Sequence, residues 1–362
     1  MASTVRLPID VARLEAYIQH NVPEIEVPID IKQFGFGQSN PTYQLTDRTG
    51  RRFVLRKKPP GKLLSKTAHR VEREYRIIHA LEKTNVPVPK AYCLCTDDSV
   101  IGTPFFVCLS NALLPIHQLT LLCRWHDAIR TLAKLHRVNP KDVGLENYGR
   151  PSGFYNRQIA TLQTVSESQA KTADIETGIP VGAIVKFDEM LNFFKDPRTQ
   201  PKDRSTIIHG DYKIDNLIYH RNEPRVIGVL DWEMSTIGHP LSDFSNLQTP
   251  YINARFPVRP DQADFTDTLY PGIPLRNHAI QWYAQDAGWD PRTEMGWGDA
   301  FACARNVVIM QGIAARLARR QASSEKAQEY AVQMPEMGRV AWLLVEEEER
   351  NRKRGGRSEG KL

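Results

Sequence analysis

Hydrophobic and polar residues change rhythm several times along the chain. Between residues 9 and 20, Val11, Leu14, Tyr17 and Ile18 recur at helical spacing and predict a short amphipathic helix. After Pro23 and Pro28 the period drops to two. Ile31 to Phe36, Thr42 to Thr46 and Arg52 to Arg56 are alternating runs broken by Gly- and Asn-rich turns, the pattern of an antiparallel meander. Helical spacing returns over 67–83 with Val71, Tyr75, Ile78 and Leu81, until Pro87 and Pro89 stop it. Strands follow at 91–94 and 104–109. From Leu119 the texture is mostly helical, with segments at 125–136, 188–194, 276–287, 298–320 and 326–349. Residues 164–182 are polar and turn-rich and read as a surface excursion, while β-branched runs at 206–209, 217–220 and 225–230 predict three more strands. The result is an α+β chain: a sheet-rich lobe over 1–108, a helical lobe over 109–349, and a basic tail over 350–362 of disordered composition.

The bulk properties narrow this only a little. The 362 residues suffice for two lobes, and 41% hydrophobic with 25% charged residues is ordinary for a soluble globular protein. The formal charge is +6, but the basic residues are scattered and densest in the tail, and no nucleic-acid recognition module is visible. An anionic small ligand such as a nucleotide accounts for mild basicity, and nucleic acid is set aside as a partner. Five cysteines, at 93, 95, 108, 123 and 303, lack any paired zinc-site spacing and read as reduced thiols of an intracellular protein. No apolar run reaches the length of a membrane span, and Met1 to Asp30 lacks a signal-peptide core. The final Gly360-Lys-Leu362 is one residue away from the Ser-Lys-Leu peroxisomal address. The expected location is therefore cytoplasmic, or peroxisomal through that weak signal.

The chemistry concentrates in one segment, His209-Gly-Asp-Tyr-Lys-Ile-Asp-Asn216. Phosphoryl transfer needs a carboxylate to orient the attacking hydroxyl, oxygen ligands for Mg²⁺, and cations for the charge developing on the γ-phosphate. Asp211 matches the base, Asn216 five residues later a metal ligand, and Lys213 a cation within reach of the transferring group. Asp231 ends the hydrophobic strand Val226-Ile-Gly-Val-Leu230 and supplies a second metal-binding carboxylate. Taken singly, each of these residues fits a polar turn between strands equally well. The ordered set with strand flanks points to the chemistry.

With Leu230-Asp-Trp-Glu233 and Gly238-x-Pro240-x-x-Asp243 added, the segment resembles the aminoglycoside phosphotransferase and choline kinase superfamily. Protein kinases carry Asp-Phe-Gly and a long activation segment, whereas this chain has Asp-Trp-Glu and only a short run to Asp243. The resemblance implies a bilobal protein-kinase-like fold with the active site between lobes, ATP and Mg²⁺ as cofactors, and a small-molecule hydroxyl as acceptor. It also implies an accessory role for Glu233 and a structural one for Asp243. Phe34-Gly-Phe-Gly-Gln-Ser-Asn40 takes the place of the loop that covers the nucleotide phosphates, with Gly35, Gly37, Gln38, Ser39 and Asn40 as the candidate contacts, although a plain hairpin turn looks the same. Phe53-Val-Leu-Arg56 matches the strand whose cation pairs the α/β-phosphates, here Arg56 followed by Lys57 and Lys58. Glu74 is the expected helix partner of that cation, with Glu72 as the competing choice.

Gly37-Gln-Ser-Asn-Pro-Thr-Tyr43, Val54-Leu-Arg-Lys-Lys-Pro-Pro-Gly61 and Pro224-Arg-Val-Ile227 narrow the resemblance to phosphotransferase domains related to those fused to acyl-CoA dehydrogenases. That subgroup implies a hydroxyl on an acyl chain, such as a hydroxyacyl-CoA. One stretch departs from the family pattern. After Phe105-Phe-Val107 the chain reads Cys108-Leu-Ser-Asn-Ala-Leu-Leu-Pro115 in place of an acidic adenine hinge. Two expectations follow: an ATP-dependent kinase whose hinge contacts run through the backbone, or a catalytically impaired pseudo-kinase serving as a nucleotide-binding or interaction module.

Overall fold

The computed structural model describes residues 2–3, 7–34, 40–59, 70–110, 121–259, 262, 265, 272–322 and 326–359. The chain divides into two compact units. The first comprises Met1–Leu119, Val138–Glu146 and His209–Ser235; the second comprises Thr120–Arg137, Asn147–Ile208 and Thr236–Leu362.

The first unit is built on an antiparallel sheet of β1 (Ala2–Ser3), β2 (Asp30–Phe34), β3 (Thr42–Thr46), β4 (Arg52–Lys57), β5 (Ala91–Cys95) and β6 (Phe105–Leu109), in the order β1-β2-β3-β4-β6-β5. The predicted meander is present. Helix α1 (Val11–Asn21) starts at Asp10, whose carboxylate accepts from Arg13 N at 3.1 Å and satisfies an otherwise orphaned amide. Leu14 and Ile18 of α1 pack with Tyr43, Leu45, Phe53, Leu55, Phe105 and Val107 into one core. Because side chains alternate along a strand, Val54 and Arg56 of β4 point to the opposite face, that of α2 (Val71–Leu81), where Tyr75 meets Phe106. Lys57 lies on the α1 side, buried, and donates to Ile101 O at 3.2 Å. That carbonyl ends α3 (Asp98–Ile101), a single turn too short to announce itself by periodicity. After β7 (Thr206–Ile208), a strand of the second unit, the chain returns to the first unit as the hairpin β8 (Leu217–Tyr219) and β9 (Val226–Val229).

In the second unit β7 pairs antiparallel with β10 (Thr236–Gly238), and the helices are α4 (Leu121–Arg137), α5 (Phe154–Ala170), α6 (Phe187–Lys195), α7 (Leu241–Leu247), α8 (Thr249–Arg255), α9 (Arg276–Ala287), α10 (Met295–Ala318) and α11 (Ala327–Glu359). The apolar α10 is the central post: Trp297 and Phe301 stack on each other and meet Tyr155 of α5 and Phe194 of α6 edge-on. Residues 164–170, read from sequence as part of an excursion, complete α5. Ile159 and Leu162 follow the helical stripe, and Ser166 continues it because its hydroxyl donates to buried Gln311 Oε1 at 2.8 Å. Helix α11 runs on past 349 to Glu359, supported by i,i+4 pairs Glu348–Arg352 and Glu349–Lys353. Among the described residues no helix is long and apolar enough to cross a membrane. The terminal tripeptide 360–362 lies outside the described residues.

Candidate active site

Helix α2 decides which acid meets Arg56. Val71, Glu74, Ile78 and Leu81 recur at intervals of three or four, so Glu74 sits within an apolar stripe and is 1% exposed. Arg56 Nη1 donates to Glu74 Oε1, and Arg56 Nη2 lies 3.5 Å from Asp231 Oδ1. Glu72, on the flank of the stripe, pairs with Lys58 at 2.6 Å. The choice left open by the sequence therefore falls on Glu74, and the stripe itself contained the signal.

Burial works against the charge on Arg56, but Glu74, then Asp231 and Glu233, outweigh it and hold the guanidinium above its ordinary value. Burial also pushes the Glu74 carboxyl above the usual carboxylate range, ahead of the opposing pull of Arg56, and the nearby Asp231 and Glu233 add to the rise. Arg56 Nε and Glu74 Oε2 are buried without a hydrogen-bond partner among the described residues. Three carboxylates thus bear on the Arg56 guanidinium.

The hairpin brings the two halves of the candidate motif together. Leu217 pairs with Val229, and on the next rung Leu230 N donates to Asn216 O at 2.8 Å. Asn216 and Asp231 are therefore neighbours because of strand register. Asp231 itself is left-handed, φ +67°, and opens a single 3₁₀ turn, Trp232–Met234. A non-glycine residue holds that conformation only where its surroundings fix it. Here buried Trp232 donates Nε1–H to Val229 O at 2.9 Å, and both the amide and the hydroxyl of Ser235 donate to Trp232 O.

Asp211 Oδ2 lies 2.9 Å from Lys213 Nζ and accepts from Asn216 Nδ2 at 3.2 Å; the same amide donates to Asp211 O at 2.9 Å. With its NH₂ turned to Asp211, Asn216 keeps its carbonyl oxygen for a cation. His209 orders the loop: Nε2–H donates to Leu230 O at 2.8 Å and Nδ1 accepts from Asp211 N at 3.2 Å. Those bonds assign the neutral Nε2–H tautomer. Gly210 has φ +87°, and a Cβ there would sit 2.5 Å from Met234 O, so only glycine lets the two loops close on each other.

The donor set is hard oxygen, suited to Mg²⁺. Among the described residues no group of three or more His, Cys, Asp or Glu side chains gathers into a metal site. Of the phosphate-loop candidates, Asn40 is buried two residues before β3, while Gly35, Gly37, Gln38 and Ser39 lie outside the described residues. At the unusual hinge, β6 keeps its backbone path through Leu109, whose amide donates to Lys90 O, and Ser110, whose amide donates to Arg52 O; residues 111–115 lie outside the described residues. In the second unit Asp243 of α7 is buried and accepts from His136 Nε2 at 3.3 Å, while the Tyr283 hydroxyl donates to His136 Nδ1 at 2.6 Å. This network joins residues far apart in the chain, and no local pattern announces it.

Comparison with known proteins gives the family and the fold. The sequence profile of the APH phosphotransferase enzyme family matches residues 30–276. Mouse acyl-CoA dehydrogenase family member 10 is 34% identical over 332 residues, covering 89% of this chain but only 30% of the relative, so the chain spans about a third of that protein. A candidate aminoglycoside phosphotransferase from Ralstonia eutropha has been solved; it is 30% identical with a TM-score of 0.78, covering 94% of this chain and 99% of that one. The aminoglycoside phosphotransferase APH(4)-Ia, solved as a thermostable mutant with ADP and hygromycin B, shares the fold at 12% identity and a TM-score of 0.53, covering 90% of this chain and 98% of that one. The fold is protein-kinase-like, and the chain belongs to the APH phosphotransferase enzyme family.

Proposed function

We propose that this chain is an ATP- and Mg²⁺-dependent phosphotransferase acting on a hydroxyl of a small molecule, with hydroxyacyl-CoAs as the acceptor class. One observation carries the reading: the bond from Leu230 N to Asn216 O brings Asn216 beside the residue that precedes Asp231, with Asp231 3.5 Å from Arg56 and Asn216 bonded to Asp211, which pairs with Lys213. Mg²⁺, when bound, neutralises and aligns the phosphates. Asn216 and Asp231 would hold it. Arg56, braced by Glu74, binds phosphate oxygens, and Asn40 together with the preceding Gly35, Gly37, Gln38 and Ser39 covers them. Asp211 orients the acceptor hydroxyl and takes its proton as the oxygen–phosphorus bond forms and the bond to ADP breaks. Lys213, bound to Asp211, turns to the charge developing on the transferred group.

The ADP carried by APH(4)-Ia supports the nucleotide, and the acyl-CoA dehydrogenase relative supports the acceptor class. The test is ATP turnover against hydroxylated metabolites that include hydroxyacyl-CoAs, choline and aminoglycosides. Turnover of a hydroxyacyl-CoA is expected, with Asp211→Asn lowering kcat at least ~10³-fold at an unchanged Tm. Phosphorylation of choline or an aminoglycoside alone refutes the acceptor class. An active Asp211→Asn refutes its role, and nucleotide-dependent stabilisation without any turnover replaces the enzyme with a binding module.

A further inference from the structure

Helix α2 reaches the catalytic segment through more than Glu74. Two arginines on it donate to backbone carbonyls elsewhere in the first unit. Arg73 Nη2 donates to Ser235 O at 3.2 Å, and Arg76 Nη2 donates to Gly144 O at 3.0 Å. Their targets differ. Gly144 lies in the 138–146 segment, remote in sequence from the motif. Ser235 closes the 3₁₀ turn that begins at Asp231, and it is 2% exposed.

That turn sets two things at once. At its start it fixes the left-handed Asp231, and at Met234 its backbone lies so close to Gly210 that no side chain fits between them. A shift of Ser235 therefore moves the Asp231 carboxylate and presses on the residue preceding Asp211. We infer that Arg73 is a positioning residue for the metal-binding turn, coupling helix α2 to Asp231 through the Ser235 carbonyl. With Glu74 gripping Arg56 one residue further along the same helix, α2 holds the phosphate cation and the metal carboxylate in one register. Protein-backbone hydrogen bonds from a charged donor are among the stronger ones, so loss of this contact is felt. The inference rests on the phosphotransferase reading, because it assigns Asp231 to a metal.

The sister arginine supplies the control. Arg73→Met, Arg73→Lys and Arg76→Met are compared by the thermal shift that Mg²⁺ produces in the presence of saturating ADP, titrated over Mg²⁺. Arg73→Met is expected to raise the Mg²⁺ concentration for half-maximal shift by about tenfold. Arg73→Lys, which keeps a donor, recovers most of the loss. Arg76→Met lowers the ligand-free Tm but leaves the Mg²⁺ midpoint at the wild-type value. Equal midpoints for Arg73→Met and wild type, or equal displacements for Arg73→Met and Arg76→Met, overturn the inference while the phosphotransferase reading stands. If Arg73→Met does not fold, a wild-type midpoint in Arg73→Gln, whose shorter amide cannot span to Ser235, overturns it in the same way. A wild-type chain with no shift from Mg²⁺ and ADP together overturns both.

Discussion

Two buried arginine–carboxylate pairs, one in each unit, look alike and serve different ends. Arg56–Glu74 braces β4 against α2; Arg276–Asp299 joins the start of α9 to α10. In each the carboxylate is nearly inaccessible and the guanidinium partly open, and burial lifts the acid above its usual range, Asp299 to about 6. The surroundings separate them. Around Asp299 the charges balance, because Glu348 is answered by Arg352 at 2.6 Å and Arg255 also bears on the carboxylate. Around Arg56, Glu74, Asp231 and Glu233 all bear on the guanidinium, and the Asp231 side chain is 39% exposed. An ion pair by itself does not mark function, since its desolvation penalty offsets most of its attraction wherever it is buried. A carboxylate that stays open to solvent beside such a pair, as Asp231 does, is a candidate for binding a further cation.

Removing the arginine from each pair should split the two roles. Arg56→Met is expected to lower kcat/KM about 10³-fold, mostly through the KM for MgATP, by deleting the phosphate cation and leaving Glu74 uncompensated. Arg276→Met is expected to cost about 3 kcal/mol in urea unfolding, with kcat per folded molecule unchanged. If Arg276→Met loses turnover as deeply as Arg56→Met does, the distinction between the pairs fails.

A third buried group meets the same problem by discarding its charge. His239 is fully buried and keeps a donor to Lys202 O at 3.0 Å while accepting from Leu241 N at 3.1 Å. Burial lowers its pKa from 6.5 to about 4. Its folded pKa is depressed, so its contribution is complete above pH 6.5 and is lost as pH falls toward 4, amounting to about 3 kcal/mol. Asp299, raised from 3.8 to about 6, acts in the opposite sense across the same window and hides the slope in wild type. The measurement is accordingly a difference: the unfolding free energy of wild type minus that of His239→Gln, followed from pH 7 to pH 4. A difference that stays flat shows that His239 is protonated in the fold.

How much of this was readable beforehand depends on distance along the chain. The candidate loop was legible as a pattern because Asp211, Lys213 and Asn216 fall within six residues, and Asp231 because a β-branched strand leads to it. Glu74 was half legible: its place among Val71, Ile78 and Leu81 was in the sequence, but an acid in an apolar stripe looks like an exception until its partner is seen. Arg73 and Ser235, or His136, Asp243 and Tyr283, are joined only by tertiary contact. α3 and β10 are too short to show a period, whereas the equally short β7, β8 and β9 were legible from their β-branched runs. Residues 164–170 misled because the core position at Ser166 is polar and is satisfied by Gln311, far downstream.

The smallest expected effect is the sharpest check on the choice of acid. Glu72 and Glu74 are two residues apart on α2, each bonded to a cation from the β4 region. Lys58 and Glu72 are both partly exposed, at 24% and 34%, and water screens such a pair, so Glu72→Gln should change stability by less than ~0.5 kcal/mol and leave the KM for MgATP within about twofold. Glu74→Gln keeps shape and a hydrogen-bonding oxygen but removes the charge that braces Arg56. It should therefore raise that KM by at least about tenfold, with a smaller change in Tm than in KM. Steady-state kinetics on the two variants decides it. A larger KM change for Glu72→Gln would move the brace to the outer face of α2 and make the Arg56–Glu74 pair the structural one.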